Sequence, residues 1–321
     1  MRLRRAGNRA APEARDRPRP ERRRVRDAGR CERNRMMRFL DGFAPLAEQY
    51  DGFIVDLWGV IHDGISPYPG ARDTLAALRA AGKRVVLLSN APRRVSVVCE
   101  GLRAMGVADD LYDGVMTSGE YTRGLLAERS DPWFAGLGRR MLHLGAPKDY
   151  NLFEGLDLER VEDPAEADFI LNTGPNLEQG EGDPAPYLPL LEACAARGLK
   201  MVCANPDLEV IRGGRRLICA GLLASLYEQK GCAVRWIGKP HPEVYGPVLR
   251  MLEVPRASVL AVGDALATDM RGAKAVGVDG CWVLGGIHQE MIGDDAALAE
   301  AEASSAGLAP VACVPSFRWA A

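Results

Sequence analysis

The sequence lacks any run approaching about 18 consecutive apolar residues, which excludes a membrane-spanning helix. No charged start followed by an apolar block opens it, so a secretory signal is not expected. No C-x-x-C pair occurs among its eight cysteines (Cys31, Cys99, Cys194, Cys203, Cys219, Cys232, Cys281 and Cys313). Scattered thiols in a long chain exclude a disulfide framework and a zinc ribbon, and they read as the reduced, mostly buried cysteines of a cytoplasmic protein. Aromatic residues are few, at 6%, but 47% hydrophobic and 26% charged residues are ordinary for a globular protein. The 321 residues suggest two domains at roughly 100–200 residues each.

The opening 35 residues have no Lys, Ser or Thr, yet carry fourteen Arg against five acids. The remainder then holds 27 basic and 38 acidic residues, so a basic tail precedes an acidic body. With few apolar side chains, residues 1–37 read as a disordered extension. Nucleic acid enters as a partner only through this tail. Five acids and three prolines argue against a mitochondrial presequence. Translated upstream sequence ahead of a start at Met36 or Met37 is the simpler and preferred account of the tail.

From residue 50 the text alternates between strands and helices. Phe53-Ile54-Val55-Asp56-Leu57-Trp58 is an apolar run broken by one carboxylate. Residues 84–88 and 259–262 are fully apolar runs of the kind buried in a parallel sheet. Further strands are expected at 113–116, 140–144, 168–172, 199–203 and 279–284, with a short one ending at Gly238. Helices are expected at 72–81, 93–105, 185–197, 219–231, 242–253 and 268–275. Such alternation is the mark of a doubly wound α/β sheet. Ligands of such sheets bind beyond the carboxyl ends of the strands. Asp56, Ser89 and Asp264 each close an apolar strand, and Lys239 follows another. Two carboxylates, a hydroxyl and a lysine at one edge suit a phosphate with Mg²⁺, because carboxylate oxygens are the ligands that ion prefers.

These residues carry a resemblance. Asp56-Leu57-Trp58-Gly59-Val60, Leu87-Leu88-Ser89-Asn90, Gly238-Lys239-Pro240 and Val262-Gly263-Asp264-x4-Asp269 resemble, in order, the four motifs of the haloacid dehalogenase superfamily. Pro69-Gly70-Ala71, Thr117-Ser118-Gly119-Glu120, Ala204-Asn205-Pro206-Asp207 and Gly238-Lys239-Pro240-His241-Pro242 are similar to its NagD-like class IIA branch. The resemblance implies a Rossmann-like core at 38–130 and 233–321, split by an inserted α/β cap domain at 131–232. It implies an Mg²⁺-dependent phosphatase of a small phosphorylated metabolite, without a membrane partner; a homodimer is left open. Asp56 would be the nucleophile, forming an aspartyl-phosphate. Ser89 and the backbone around Asn90 would hold the phosphoryl oxygens. Lys239 would balance charge. Asp264 and Asp56 would bind the metal with the backbone carbonyl of Trp58, and Asp269 would support the metal or Lys239. Asn205 and Asp207 would touch substrate. Four positions have simpler readings: Ser89 as a cap of the next helix, Asp269 as a first-turn helix acid, Asn205 and Asp207 as turn formers.

One position departs from the family pattern. Trp58 stands where the phosphatases place the Asp that protonates the leaving group. An indole N–H is a donor only, and losing a positioned acid–base group costs about 10²–10⁴-fold. His62 or Asp63 are candidate substitutes. A weakened phospho-ligand-binding protein is the alternative function, and a reaction other than phosphate hydrolysis is a further one.

Overall fold

The structure, a computed structural model, describes residues 37–176, 180–293 and 295–320. The Arg-rich extension expected at residues 1–37 lies outside them except for Met37.

Fourteen strands follow in chain order: β1 (Arg38–Phe39), β2 (Gly52–Val55), β3 (Arg84–Ser89), β4 (Gly114–Thr117), β5 (Arg140–Leu144), β6 (Glu159–Val161), β7 (Phe169–Asn172), β8 (Lys200–Cys203), β9 (Glu209–Arg212), β10 (Arg215–Ile218), β11 (Val234–Trp236), β12 (Val259–Gly263), β13 (Asp279–Val283) and β14 (Ala312–Val314). Seven form one parallel sheet in the order β1-β14-β13-β12-β2-β3-β4. This is the doubly wound α/β sheet expected from the sequence. Its central strands are buried on both faces, which is why they read as unbroken apolar runs. Phe53, Val55, Val85, Leu87, Leu260 and Val262 point to one face and pack with Leu75 and Leu78 of the helix Ala71–Ala80. Ile54, Val86, Leu88, Val259 and Ala261 point to the other and meet Tyr245, Val248 and Leu252 of the helix Tyr245–Leu252.

Between β4 and β12 the chain builds a second parallel sheet, in the order β11-β8-β7-β5-β6. The helices Leu188–Ala196 and Ala220–Glu228 cover one face through Leu191, Leu223 and Tyr227. Leu126, Phe134 and Leu152 cover the other. Strand β11 belongs to this sheet, although it lies beyond the expected limit at residue 232: Val234 pairs with Met201 of β8. An antiparallel hairpin, β9–β10, completes the strands. Among the described residues, no helix is long and apolar enough to cross a membrane.

Register places the polar strand ends side by side. Val55 pairs with Val262 on one side and Leu87 on the other, so the residues that follow emerge along one edge. The Asp56 N–H, one residue past β2, still donates to Val262 O at 2.9 Å.

Candidate active site

Asp56, Asp264 and Asp269 meet at this edge, with one carboxylate oxygen of each within 4.8 Å of the other two. Lys239 lies among them. Its Nζ is 2.6 Å from Asp56 Oδ1 and 2.8 Å from Asp269 Oδ1. All four side chains are buried. Three carboxylates and one ammonium leave an excess of negative charge in a low-dielectric place. Burial, then Asp269, push the Asp56 pKa well above the usual carboxylate range, with Lys239 opposing. Burial, then Asp269, push Asp264 up to about 7. Burial alone would lower the Lys239 ammonium, but Asp269, Asp56 and Asp207 outweigh it and hold the proton on.

The cluster is built for one more cation. Asp56 Oδ1 takes both Lys239 and the Leu57 N–H, at 2.7 Å. Asp264 Oδ2 accepts from Ile287 N at 2.7 Å. Asp56 Oδ2 and Asp264 Oδ1 enter no hydrogen bond or ion pair among the described residues. Backbone comes close to Asp264 on two sides: a Cβ on Gly59, whose φ is +76°, would lie 1.9 Å from Asp264 Oδ2, and one on Gly286 2.0 Å from it. Hard carboxylate oxygens with spare capacity and unbalanced charge fit a divalent cation such as Mg²⁺.

Asp269 does not sit in an ordinary first helical turn. Residues Leu266–Met270 form a π-helical turn, a form common at functional sites. It lets Asp269 Oδ2 accept from Ala265 N at 3.2 Å while Oδ1 faces Lys239. Ser89 ends β3 and does not cap the next helix, whose N-cap is Arg94. Its Oγ accepts from Ala91 N at 3.2 Å, and its hydroxyl proton goes to no group among the described residues.

The Asn90 side chain is spent on positioning. Its Oδ1 accepts from Lys239 N, and its Nδ2 donates to Lys239 O and to Asp207 Oδ1. Both amide protons are therefore used, which leaves the backbone as Asn90's contact for a phosphate. Asn205 Oδ1 accepts from Asp207 N at 3.0 Å, the turn-forming role. Ser118 Oγ lies 2.5–3.1 Å from the carbonyls of Asn90, Ala91 and Ala204. It ties the loop after β3 to the end of β8.

Trp58 packs on Gly64, where a Cβ would come within 2.1 Å of the indole, and meets the His62 ring edge-on at 5.2 Å. His62 Nδ1 accepts from Gly64 N at 3.0 Å, and burial lowers its pKa to about 4. Asp63 Oδ1 accepts from Ile65 N and Ser66 N, which lowers its pKa. Both candidate substitutes for the missing acid therefore hold the turn that carries Trp58.

Beside the cluster is a cavity of about 120 Å³, lined among others by Trp58, Arg93, Asp149, Thr173, Asp207 and Arg212. Asp56, Lys239 and Asp264 do not line it. Arg93, Asp149, Thr173 and Arg212 carry no sequence signal; the partners of the first three come from distant segments. Arg93 Nε lies 3.3 Å from Asp149 Oδ1, Thr173 Oγ1 donates to Asp149 Oδ2, and His143 Nε2 lies 2.9 Å from Thr173 Oγ1.

Comparison with known proteins agrees with this geometry. Residues 53–159 match a haloacid dehalogenase-like hydrolase family model, and residues 236–318 match a second, HAD-hydrolase-like model. A haloacid dehalogenase-like hydrolase from Brucella suis 1330 is 33% identical, with a TM-score of 0.75 over 87% of this chain and 100% of that one. The chain belongs to the haloacid dehalogenase-like hydrolases. Within them it falls in the class IIA, NagD-like branch. A 4-nitrophenylphosphatase of Schizosaccharomyces pombe is 24% identical over 77% of this chain and 88% of its own length. A glycerol phosphate phosphatase of Mycobacterium tuberculosis, solved in complex with magnesium, is 26% identical, with a TM-score of 0.57 over 75% of this chain and 70% of that one.

Proposed function

We propose that this hydrolase is an Mg²⁺-dependent phosphatase of a small phosphorylated metabolite, acting through an aspartyl-phosphate on Asp56. One observation carries the reading. Asp56 is fixed by Lys239 and the Leu57 N–H through Oδ1, so Oδ2 is left over as the nucleophile. Asp56 Oδ2 would attack phosphorus, the bond to the leaving oxygen would break, and water would later release phosphate from the aspartyl group. The Ser89 hydroxyl would donate to a phosphoryl oxygen. Lys239 would offset the negative charge of Asp56 and the phosphoryl group. Asp56 and Asp264, with the Trp58 carbonyl and support from Asp269, would hold Mg²⁺, which supplies charge stabilisation to the phosphoryl oxygens.

The second sheet and its helices, the expected cap at 131–232 extended to β11, would cover the site and keep water from it. Asp207 would face the substrate from there, as a lining residue of the cavity. Asn205 would shape the turn that presents it. The seven cysteines among the described residues are all free, which supports a reducing compartment, the cytoplasm.

A second reading is a phospho-ligand-binding protein with feeble turnover, and Trp58 favours it. The test is phosphate release across a panel of phosphorylated metabolites, with and without Mg²⁺. Release that needs both Mg²⁺ and Asp56, and is lost in Asp56→Asn, supports the phosphatase. Saturable phosphate-ester binding without release replaces it by the binding protein.

A further inference from the structure

The cavity beside Asp56 is lined by cations and hydrogen-bond donors, and the residue two places after Asp56, where an acid would meet the leaving group, is Trp58. Trp58 presents an indole, which neither gives up nor takes a proton in acid–base work. Of the carboxyl groups in its lining, Asp149 is engaged by Arg93 and Thr173, and Asp207 accepts from the Asn90 amide through Oδ1; Glu181 is the third. His62 and Asp63 do not line the cavity; they hold the adjoining turn by accepting backbone N–H groups. By contrast, Lys148 and Arg212 line the cavity and make no ion pair among the described residues. Such a cavity stabilises a departing anion better than it protonates a departing alkoxide.

We propose that the preferred substrates are phosphates whose leaving group departs as a stable anion, namely acyl phosphates and other phosphoric anhydrides. This rests on the phosphatase reading above and deepens it. Asp56 Oδ2 forms the new bond to phosphorus. The bond from phosphorus to the acyl oxygen breaks, and the electron pair leaves with the carboxylate, which needs no proton. An alkyl phosphate would have to expel an alkoxide, and that step lacks an acid at position 58. The second step is affected too. Water attacks the aspartyl-phosphate, the Asp56 carboxylate is expelled, and the water proton goes to the phosphate product without help from position 58. The phosphorylated Asp56 therefore accumulates during turnover.

The experiment uses the full chain with Mg²⁺ and four probes: acetyl phosphate, 4-nitrophenyl phosphate, glycerol 3-phosphate and glucose 6-phosphate. Because kcat/KM reports the attack on phosphorus, it is the quantity compared. The first two probes are expected to exceed the last two by about 10²-fold or more, the worth of a positioned acid. Acid-quenched protein should carry phosphate on Asp56 by mass spectrometry, with a burst of the leaving group before steady state. Trp58→Asp should narrow the gap by speeding the alkyl phosphates, and Trp58→Asn should not. The wild-type comparison stands without either variant. Equal kcat/KM for all four probes overturns the proposal while leaving the phosphatase reading intact. So does alkyl phosphate turnover that is lost selectively in Asp207→Asn or Glu181→Gln, since that would expose an acid in the cavity. No release and no phosphorylated Asp56 with any probe overturns both.

Discussion

The side-chain amide of Asn90 grips the Lys239 peptide from both sides. Its Oδ1 accepts the Lys239 N–H at 2.7 Å, and its Nδ2 donates to the Lys239 carbonyl at 3.1 Å. The lysine that meets Asp56 and Asp269 is thus set by a residue from the neighbouring strand end. Asn90→Leu removes both contacts and the bond to Asp207. Each buried partner left unpaired costs about 1–3 kcal/mol, and a displaced lysine should lower kcat by about 10²-fold. Urea unfolding and phosphate release measure the two effects. An unchanged kcat would refute this positioning role.

Lys239 is the cation of a cluster of three buried carboxylates. Lys239→Met leaves them uncompensated, and breaking a buried pair from one side costs about 3–5 kcal/mol. Unfolding midpoints should fall accordingly, and phosphate release should disappear. A variant as stable as the parent would show that the carboxylates are neutral in the folded protein.

The three close, under-compensated carboxylates Asp56, Asp264 and Asp269 predict a thermal response to divalent cations. A ligand that binds only the folded state stabilises it in proportion to RT ln(1 + [L]/Kd). Saturating Mg²⁺ should raise Tm by a few degrees, and Asp264→Asn should erase the rise. A rise that persists in Asp264→Asn would place the ion elsewhere.

His143 gives a pH dependence that is separable from the site. Burial, and then Arg160, lower its pKa to about 4 from an ordinary value of about 6.5. Between those values the unfolded chain binds the proton and the folded one does not, so this contribution to stability falls as pH drops from about 6.5 to about 4. In His143→Gln, whose amide still reaches Thr173, that part of the slope should vanish. Denaturant midpoints of parent and variant at pH 7 and pH 4.5 decide it. Parallel slopes would contradict the neutral, buried ring.

Gly119 faces the loop after β3 with no room for a side chain. A Cβ there would lie 2.2 Å from Arg93 N and 2.6 Å from Arg93 O. Gly119→Ala must therefore shift Arg93 and its pairing with Asp149. A loss of about 1–3 kcal/mol is expected from such overpacking, together with a raised KM, since Arg93 lines the cavity. Wild-type KM in this variant would mean that the cavity is not where substrate sits.

Much of this was legible in the chain because central parallel strands are buried on both faces. Runs such as Val85–Leu88 and Val259–Val262 can be little else. Short or edge strands leave no such mark. Strand β1 has two residues, and β6 and β14 have three each. The β9–β10 hairpin is disguised by Glu and Arg on its exposed face, although the Gly213-Gly214 pair between its strands is a hairpin signal. At the site, Asp56, Lys239, Asp264 and Asp269 were readable from strand ends and motif spacing. The duties of Asn90 and Ser118 were not, because their partners lie far off in the chain. The occupation of His62 and Asp63 depends on a local turn that no spacing announces.

The strand order has a consequence for synthesis. Strand β2, which carries Asp56, lies between β3 and β12. Its partner β3 leaves the ribosome soon after it, but β12 follows only when the entire five-stranded layer has been made. Until then Asp56 has neither Lys239 nor Asp264 beside it, and its strand presents an open apolar edge. Such an edge is the kind that chaperones guard during translation. The cluster around Asp56 therefore assembles only once the last third of the chain has emerged.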